Sequence, residues 1–242
     1  MSPPTLEKKA RLQPLISRIS AEDAEAAATV QVNAMAGHTI QLRVQPFDER
    51  PAVPAQVKIK AQGFRDMIAA GNNRIIKAVV REEVAGVAIW NLVSNKKALV
   101  ENGVTPSPPR ERTAEDEEAL KGVDVEIREQ IGKTSASLRN ETMGDSKYWC
   151  AVLLAVDPVY QYQGVGKTLL QWGLDQAATE SLDVYLEASD AGKRLYEKNG
   201  FELVGWNVLA DEKTPGGSLR WPAMRRCSSS LLHASSTHSS LE

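Results

Sequence analysis

The chain is poor in cysteine. Cys150 and Cys227 are the two it has in 242 residues, too few for a disulfide framework and too far apart for a zinc-ligand spacing, which predicts a reducing compartment and no metal site. It also lacks a basic excess: Lys and Arg number 29 against 31 Asp and Glu, a formal net charge of −2. Nucleic acid is therefore not expected as its main partner. Long apolar runs are missing too. No stretch approaches the ~18 residues of a membrane span, and the opening MSPPTLEKKARLQPL puts charges and prolines where a signal peptide needs an apolar run. Together these absences predict a soluble, cytoplasmic protein. What is present is a 42% hydrophobic chain, enough for one globular domain with a sizeable insertion.

Residues 1–12 read as a flexible N-terminal arm. Leu15 to Ile19 form a short strand, after which Ser20 and Asp23 make a capping-box-like start for a helix carrying Ala24, Ala27, Ala28 and Met35. A proline-containing piece and a second helix around Val57 to Ala70 follow. The runs Arg74 to Val80 and Val84 to Val93, joined by a tight charged turn, predict a hairpin of buried strands. Residues 94–147 read as an insertion containing TPSPPRER, an acidic run from Ala114 to Glu118, and a helical pattern at Leu120, Val123, Ile127 and Ile131 with Thr113 as its cap. Two readings stand for that helix: a solvated surface element, or a wall of an acceptor pocket whose carboxylates attract a cationic amine. The serine-rich tail, 227–242, has too little apolar content to pack and is expected to be disordered. The globular unit is thus expected over 13–226.

The chemistry concentrates in LLAVDPVYQYQGVGKTLLQWGLDQA, Leu153 to Ala177. Gly166-Lys167-Thr168 looks like the end of a nucleoside-triphosphate loop, G-x-x-x-x-G-K-[ST], but the first glycine of that pattern falls on Gln161, whose Cβ denies it glycine's backbone freedom. A dinucleotide fingerprint, G-x-G-x-x-G, would need glycine where Leu169 stands. The shared physics survives both failures. An apolar strand, Trp149 to Val156, runs into a turn with two glycines and then into an amphipathic helix through Leu169, Leu170, Gly173, Leu174 and Ala177. Amides at such a helix start have no partner inside the helix, and the dipole favours an anion there. With Lys167 beside it, the turn reads as a pyrophosphate cradle.

Gln161-Tyr162-Gln163-Gly164-Val165-Gly166 matches the Q/R-x-x-G-x-G/A signature of the GNAT superfamily of N-acetyltransferases. Downstream, Val184 to Ser189 and then Ala191-Gly192-Lys193-Arg194-Leu195-Tyr196-Glu197-Lys198-Asn199-Gly200-Phe201 resemble that family's next strand, last major helix and following strand. The wording LEASDAG is similar to fungal members. The resemblance is good from Tyr148 to Trp206 and plausible from Leu15 to Val93. It implies an α/β (α+β) GNAT acyl-CoA N-acyltransferase fold, a mixed twisted sheet of about six to seven strands flanked by helices.

It also implies a site. Main-chain groups of Leu154 and Val156 would run along the pantetheine arm of acetyl-CoA, the co-substrate, with the Leu154 N–H polarising the thioester carbonyl. Gln161, Gln163, Gly164, Val165, Gly166, Lys167 and Thr168 would hold the pyrophosphate. Tyr196 falls where the family commonly places the acid that protonates the leaving thiolate. Ser189 stands near a family asparagine that contacts the coenzyme; its hydroxyl could take that role or cap a helix. The general base has no counterpart, because the strand positions that carry one in relatives are Cys150 and Val152 here. Glu187 is the candidate base and His38 a thinner one; an amine arriving neutral through a water chain would need neither. The reading is transfer of an acetyl group to a primary amine of a small molecule, with protein N-acetylation or non-catalytic acyl-CoA sensing as alternatives and homodimerisation open.

Overall fold

The computed structural model describes residues 13–94 and 114–228. The predicted arm, the TPSPPRER stretch, the Thr113 cap and the tail from residue 229 onward lie outside the described residues.

Strand β1 (Leu15–Arg18) enters helix α1 (Ala24–Met35) through the expected capping box. Ser20 donates its N–H and its Oγ–H to Asp23 Oδ2 at 2.8 and 2.9 Å. Ala24, Ala27 and Ala28 are buried in the cluster that also holds Phe64 and Ala61 of α3 (Val53–Ala70), so small side chains let the two helices approach closely. A short α2 (Thr39–Val44) lies between them. Six residues next to Pro46 are too few to show helical periodicity in sequence. Strands β2 (Arg74–Val80) and β3 (Glu83–Val93) form the hairpin. Arg81 and Glu82 both take left-handed dihedrals, φ 51° and 68°, the two-residue turn whose twist suits a hairpin.

The helical pattern expected across Leu120 to Ile131 divides into α4 (Ala114–Leu120) and α5 (Val125–Met143). The break is built into the chain: Gly122 is left-handed at φ +68° and backs onto Glu49, and Asp124 Oδ1 accepts from Ile127 N–H at 3.1 Å to cap α5. Helix α5 lies on the surface with one face packed: it buries Ile127 and Met143 and sends Leu138 against Gly205, while Glu126, Arg128, Glu129 and Lys133 are exposed. The remaining elements are β4 (Tyr148–Val156), α6 (Val165–Thr179), β5 (Asp183–Glu187), α7 (Asp190–Glu197), β6 (Glu202–Ala210) and β7 (Ser218–Arg226).

The seven strands make one sheet in the order β1-β2-β3-β4-β5-β7-β6, antiparallel throughout except for the parallel pair β4/β5. On one face α1 and α3 cover Ile75, Val87, Ile89 and Ala155. On the other, α6 and α7 cover Ile76, Ala88, Trp90 and Leu186 with Leu169, Leu170 and Tyr196. The strands β4 and β5 stay paired only from Tyr148/Asp183 to Ala151/Leu186. Beyond that, β4 follows β3 as far as the Gly86/Val156 pair. A register shift between Ile89/Leu153 and Trp90/Ala151 leaves Val152 as the extra residue of a bulge at the point of parting. The middle of the sheet therefore opens into a gap.

Candidate active site

The direction of the β4 backbone in this gap follows from one hydrogen bond. Asp157 N–H donates to Ala85 O at 3.0 Å. With the regular antiparallel register of this stretch, Ala155 and Leu153 turn their N–H and C=O to β3, whereas Val156 and Leu154 turn theirs the other way, into the gap. The Val156 carbonyl agrees, since it accepts from Gln161 Nε2 at 3.1 Å on that side.

Past the gap the chain turns over Pro158–Tyr160 into the α6 start. Asp157 holds this turn, its Oδ1 accepting from Val159 N–H at 3.1 Å and its Oδ2 from Asn33 Nδ2 of α1 at 2.7 Å. Gly164 caps α6 at φ +98°, and a Cβ there would meet nothing, so glycine is required by the dihedral rather than by crowding. The first intrahelical bond is Thr168 N–H to Gly164 O at 3.0 Å, which leaves the amides of Val165, Gly166 and Lys167 at the positive end of a 15-residue helix. Gly166 lies over the gap: a Cβ there would touch Val156, Leu195 and Leu154 at 3.5–3.6 Å. Several predicted binding side chains brace the loop. Gln163 Nε2 donates to Val159 O at 2.7 Å and Thr168 Oγ1 to Gly164 O at 3.2 Å, while the Val165 side chain is buried. Tyr162 stands on the rim, left-handed at φ 61° and 99% exposed.

A cavity of about 1240 Å³ passes through the gap. Its walls come from both layers: Met35 and His38 from the α1–α2 side, and Gly166, Lys167, Ser189 and Tyr196 from the α6–α7 side, with Leu154 and Val156 between. Ser189 Oγ accepts from Gly192 N–H at 3.1 Å, so it caps α7 while facing the cavity. The Tyr196 ring packs edge-on to Phe201 with centroids 5.8 Å apart, and burial pushes its phenol up to about 12. Burial holds the His38 imidazole below the ordinary histidine value, and the Asp190 carboxylate opposes that shift from the start of α7. An uncharged imidazole can accept a proton.

Glu187 is placed differently. It is half-buried, and its Oε2 accepts from Ser135 Oγ of α5 at 2.6 Å and from Trp221 Nε1 of β7 at 2.9 Å, with Tyr185 OH at 3.4 Å from Oε1. The carboxylate is joined to the cavity wall through the Trp221 indole. Lys198 and Asn199, quoted above for the resemblance but given no role, line the cavity too, as do Trp221 and Arg220, which the sequence reading did not name. Pro222 hid Trp221, since proline within a run argues against a strand. Cys150 and Val152 sit at the level where the strands part. Burial raises the Cys150 thiol to about 12, and Val152 is the bulge residue.

Residues 119–203 match the family described as acetyltransferase (GNAT) domain, a span that begins inside the segment read as an insertion. No curated protein matches the chain in sequence. Solved structures of similar fold include the histone acetyltransferase HPA2 and related acetyltransferase of Corynebacterium glutamicum, at TM-score 0.54 and 21% identity over 89% of this chain and 97% of that one. An arylalkylamine N-acetyltransferase like 5b from mosquito has TM-score 0.51 and 16% identity over 88% and 99%. The PaiA N-acetyltransferase of Thermoplasma acidophilum, solved with coenzyme A, has TM-score 0.50 and 13% identity over 89% and 99%. At these identities the likeness shows a shared fold.

Proposed function

From a chain whose residues 119–203 match an acetyltransferase (GNAT) domain, we infer an acetyl-CoA-dependent N-acetyltransferase that passes the acetyl group directly to a primary amine of a small molecule. The observation that carries this reading is the parting of β4 from β5, which turns the Leu154 and Val156 main chain toward the same cavity as the α6 start. Strand-like groups and helix-end amides suit the two halves of one ligand, an amide-containing arm and a diphosphate. Acetyl-CoA has both and supplies an activated thioester.

Leu154 and Val156 would hold the arm by main-chain hydrogen bonds, and the Leu154 N–H would stabilise negative charge on the acyl oxygen. The amides from Gly164 to Thr168, with Lys167, would hold the diphosphate. His38 would take the proton of the attacking amine, directly or through water. Glu187 would position Trp221, a wall of the cavity that the amine would enter. Tyr196 would return a proton to the sulfur as the C–S bond breaks. A phenol near 12 looks too weak an acid for a thiol of about 8.5. Desolvation disfavours the charged form of either group, so a coenzyme sulfur held in the gap would have its thiol raised in the same direction as the phenol. Both cysteines are free, which supports a reducing, cytoplasmic setting.

The test is release of free thiol from acetyl-CoA in the presence of a panel of primary amines. Amine-dependent release, with the N-acetylated amine found by mass spectrometry, is expected. Release no faster than hydrolysis with every amine, together with calorimetric binding of the coenzyme, would replace the enzyme by a non-catalytic acyl-CoA sensor.

A further inference from the structure

One cation on the cavity wall stands apart from the coenzyme's cradle. Past the Glu187/Ala223 pair of β5 and β7, Ala188 N–H donates to Pro222 O at 2.9 Å. Two residues beyond that bond stand Asp190, at the start of α7, and Arg220, on β7, and both line the cavity together with His38. Asp190 is the carboxylate that acts on the imidazole. The other cations of this wall lie elsewhere: Lys167 is at the start of α6, and Lys198 follows the end of α7, about 12 Å along that helix from Asp190.

Alternation along β7 sends Trp221 to the face where Glu187 holds it and Arg220 to the opposite one. There Arg220 meets Trp206 of β6, its diagonal cross-strand neighbour, since the register pairs Trp206 with Pro222 and Val208 with Arg220. The guanidinium carbon sits over the indole, 5.1 Å from the ring centroid. This cation–π contact accounts for a tryptophan left 39% exposed on an edge strand. It steadies the guanidinium without using its N–H donors, whose planar fork suits a carboxylate. Among the described residues no carboxylate pairs with Arg220. The mouth beside His38 thus carries one charge of each sign, which matches a molecule with an ammonium at one end and a carboxylate at the other.

We propose that Arg220, steadied by Trp206, binds a carboxylate of the acceptor, so that the favoured substrates are aminocarboxylates whose ammonium end Asp190 draws toward His38. The proposal rests on the acetyltransferase reading and names its substrate class. The experiment is kcat/KM for glycine, β-alanine, 4-aminobutyrate and 6-aminohexanoate, each against the amine in which hydrogen replaces the carboxylate, on the wild-type chain, Arg220→Gln and Arg220→Lys. Arg220 is exposed, so neither substitution disturbs the core, and calorimetric acetyl-CoA binding checks that each variant is folded. At the best-fitting spacing the wild type should favour the aminocarboxylate at least about tenfold, and added salt should narrow that lead. Arg220→Gln should bring the ratio to about one, and Arg220→Lys, which keeps the charge but not the fork, should retain part of it. A coenzyme phosphate is the other anion that could reach this arginine, so calorimetry also compares acetyl-CoA with its 3′-dephospho analogue. If Arg220→Gln weakens the first and spares the second, the cation serves the coenzyme and the proposal is overturned. It is overturned equally by an enzyme that turns over amines with no lead at any spacing, or by a lead that Arg220→Gln leaves intact. Absence of turnover with every amine instead overturns the acetyltransferase reading.

Discussion

His38 shows how much a single side chain depends on its setting. Burial weakens its hold on a proton, with Asp190 at the start of α7 opposing, which favours the uncharged ring. As the proposed base it should give kcat/KM an acid limb below pH ~6.5, and His38→Gln should abolish that limb and slow the reaction about 10²-fold at pH 7. A pH profile of both proteins checks this. Stability has the same sign. The unfolded chain binds this proton more tightly than the folded one, so stability falls as pH drops through the ordinary histidine value, and His38→Gln should lessen that fall in denaturant titrations. Legibility at this scale follows chain continuity. Gln161 to Gly166 could be read as a unit because the six residues are consecutive, whereas His38, Trp221 and Asn199 come to line one cavity only through the fold. A lone histidine in a loop carries no signal of what will face it.

Among elements, the seat of α6 on the sheet is the tightest fit. A Cβ on Gly173 would fall 2.2 Å from the ring of Trp90, which is fully buried in β3. Gly173→Ala is therefore expected to cost about 3 kcal/mol and to lower the melting temperature. It should also weaken coenzyme uptake, because the tilt of α6 aims its amides at the gap; calorimetry on the folded fraction reads that second effect. The strands β2, β3 and β4 and helices α1 and α6 were legible from period and caps, each being long enough to repeat its pattern. Two features were not: the six-residue α2 has no period to show, and the Val152 bulge has no residue signature. The division between α4 and α5 was marked by a left-handed Gly122 and a capping Asp124, signals that the continuous apolar pattern from Leu120 to Ile131 overrode.

Across the whole molecule, Arg43 ties together α2, the cap of α5 and the end of β6 through Asp124 and Asp211. The guanidinium holds the Asp211 carboxyl down at about 2. Its contribution is complete above the ordinary aspartate value and is lost as pH falls toward 2. Arg43→Ala strands two carboxylates and should cost about 3 kcal/mol, measurable by urea titration at pH 7 and smaller at pH 2.5.

The parted strands carry a consequence for the empty-handed protein. Between the β1–β4 and β5–β7 halves, the sheet's own lacing is the four pairs from Tyr148/Asp183 to Ala151/Leu186, and beyond them β4 has no partner strand on that side. A bound arm that accepts from Leu154 and Val156 would act as the missing rung, locking both halves together. Saturating acetyl-CoA should then slow deuterium uptake along the far end of β4 and raise the unfolding free energy by about 2.7 kcal/mol at a hundredfold excess over Kd.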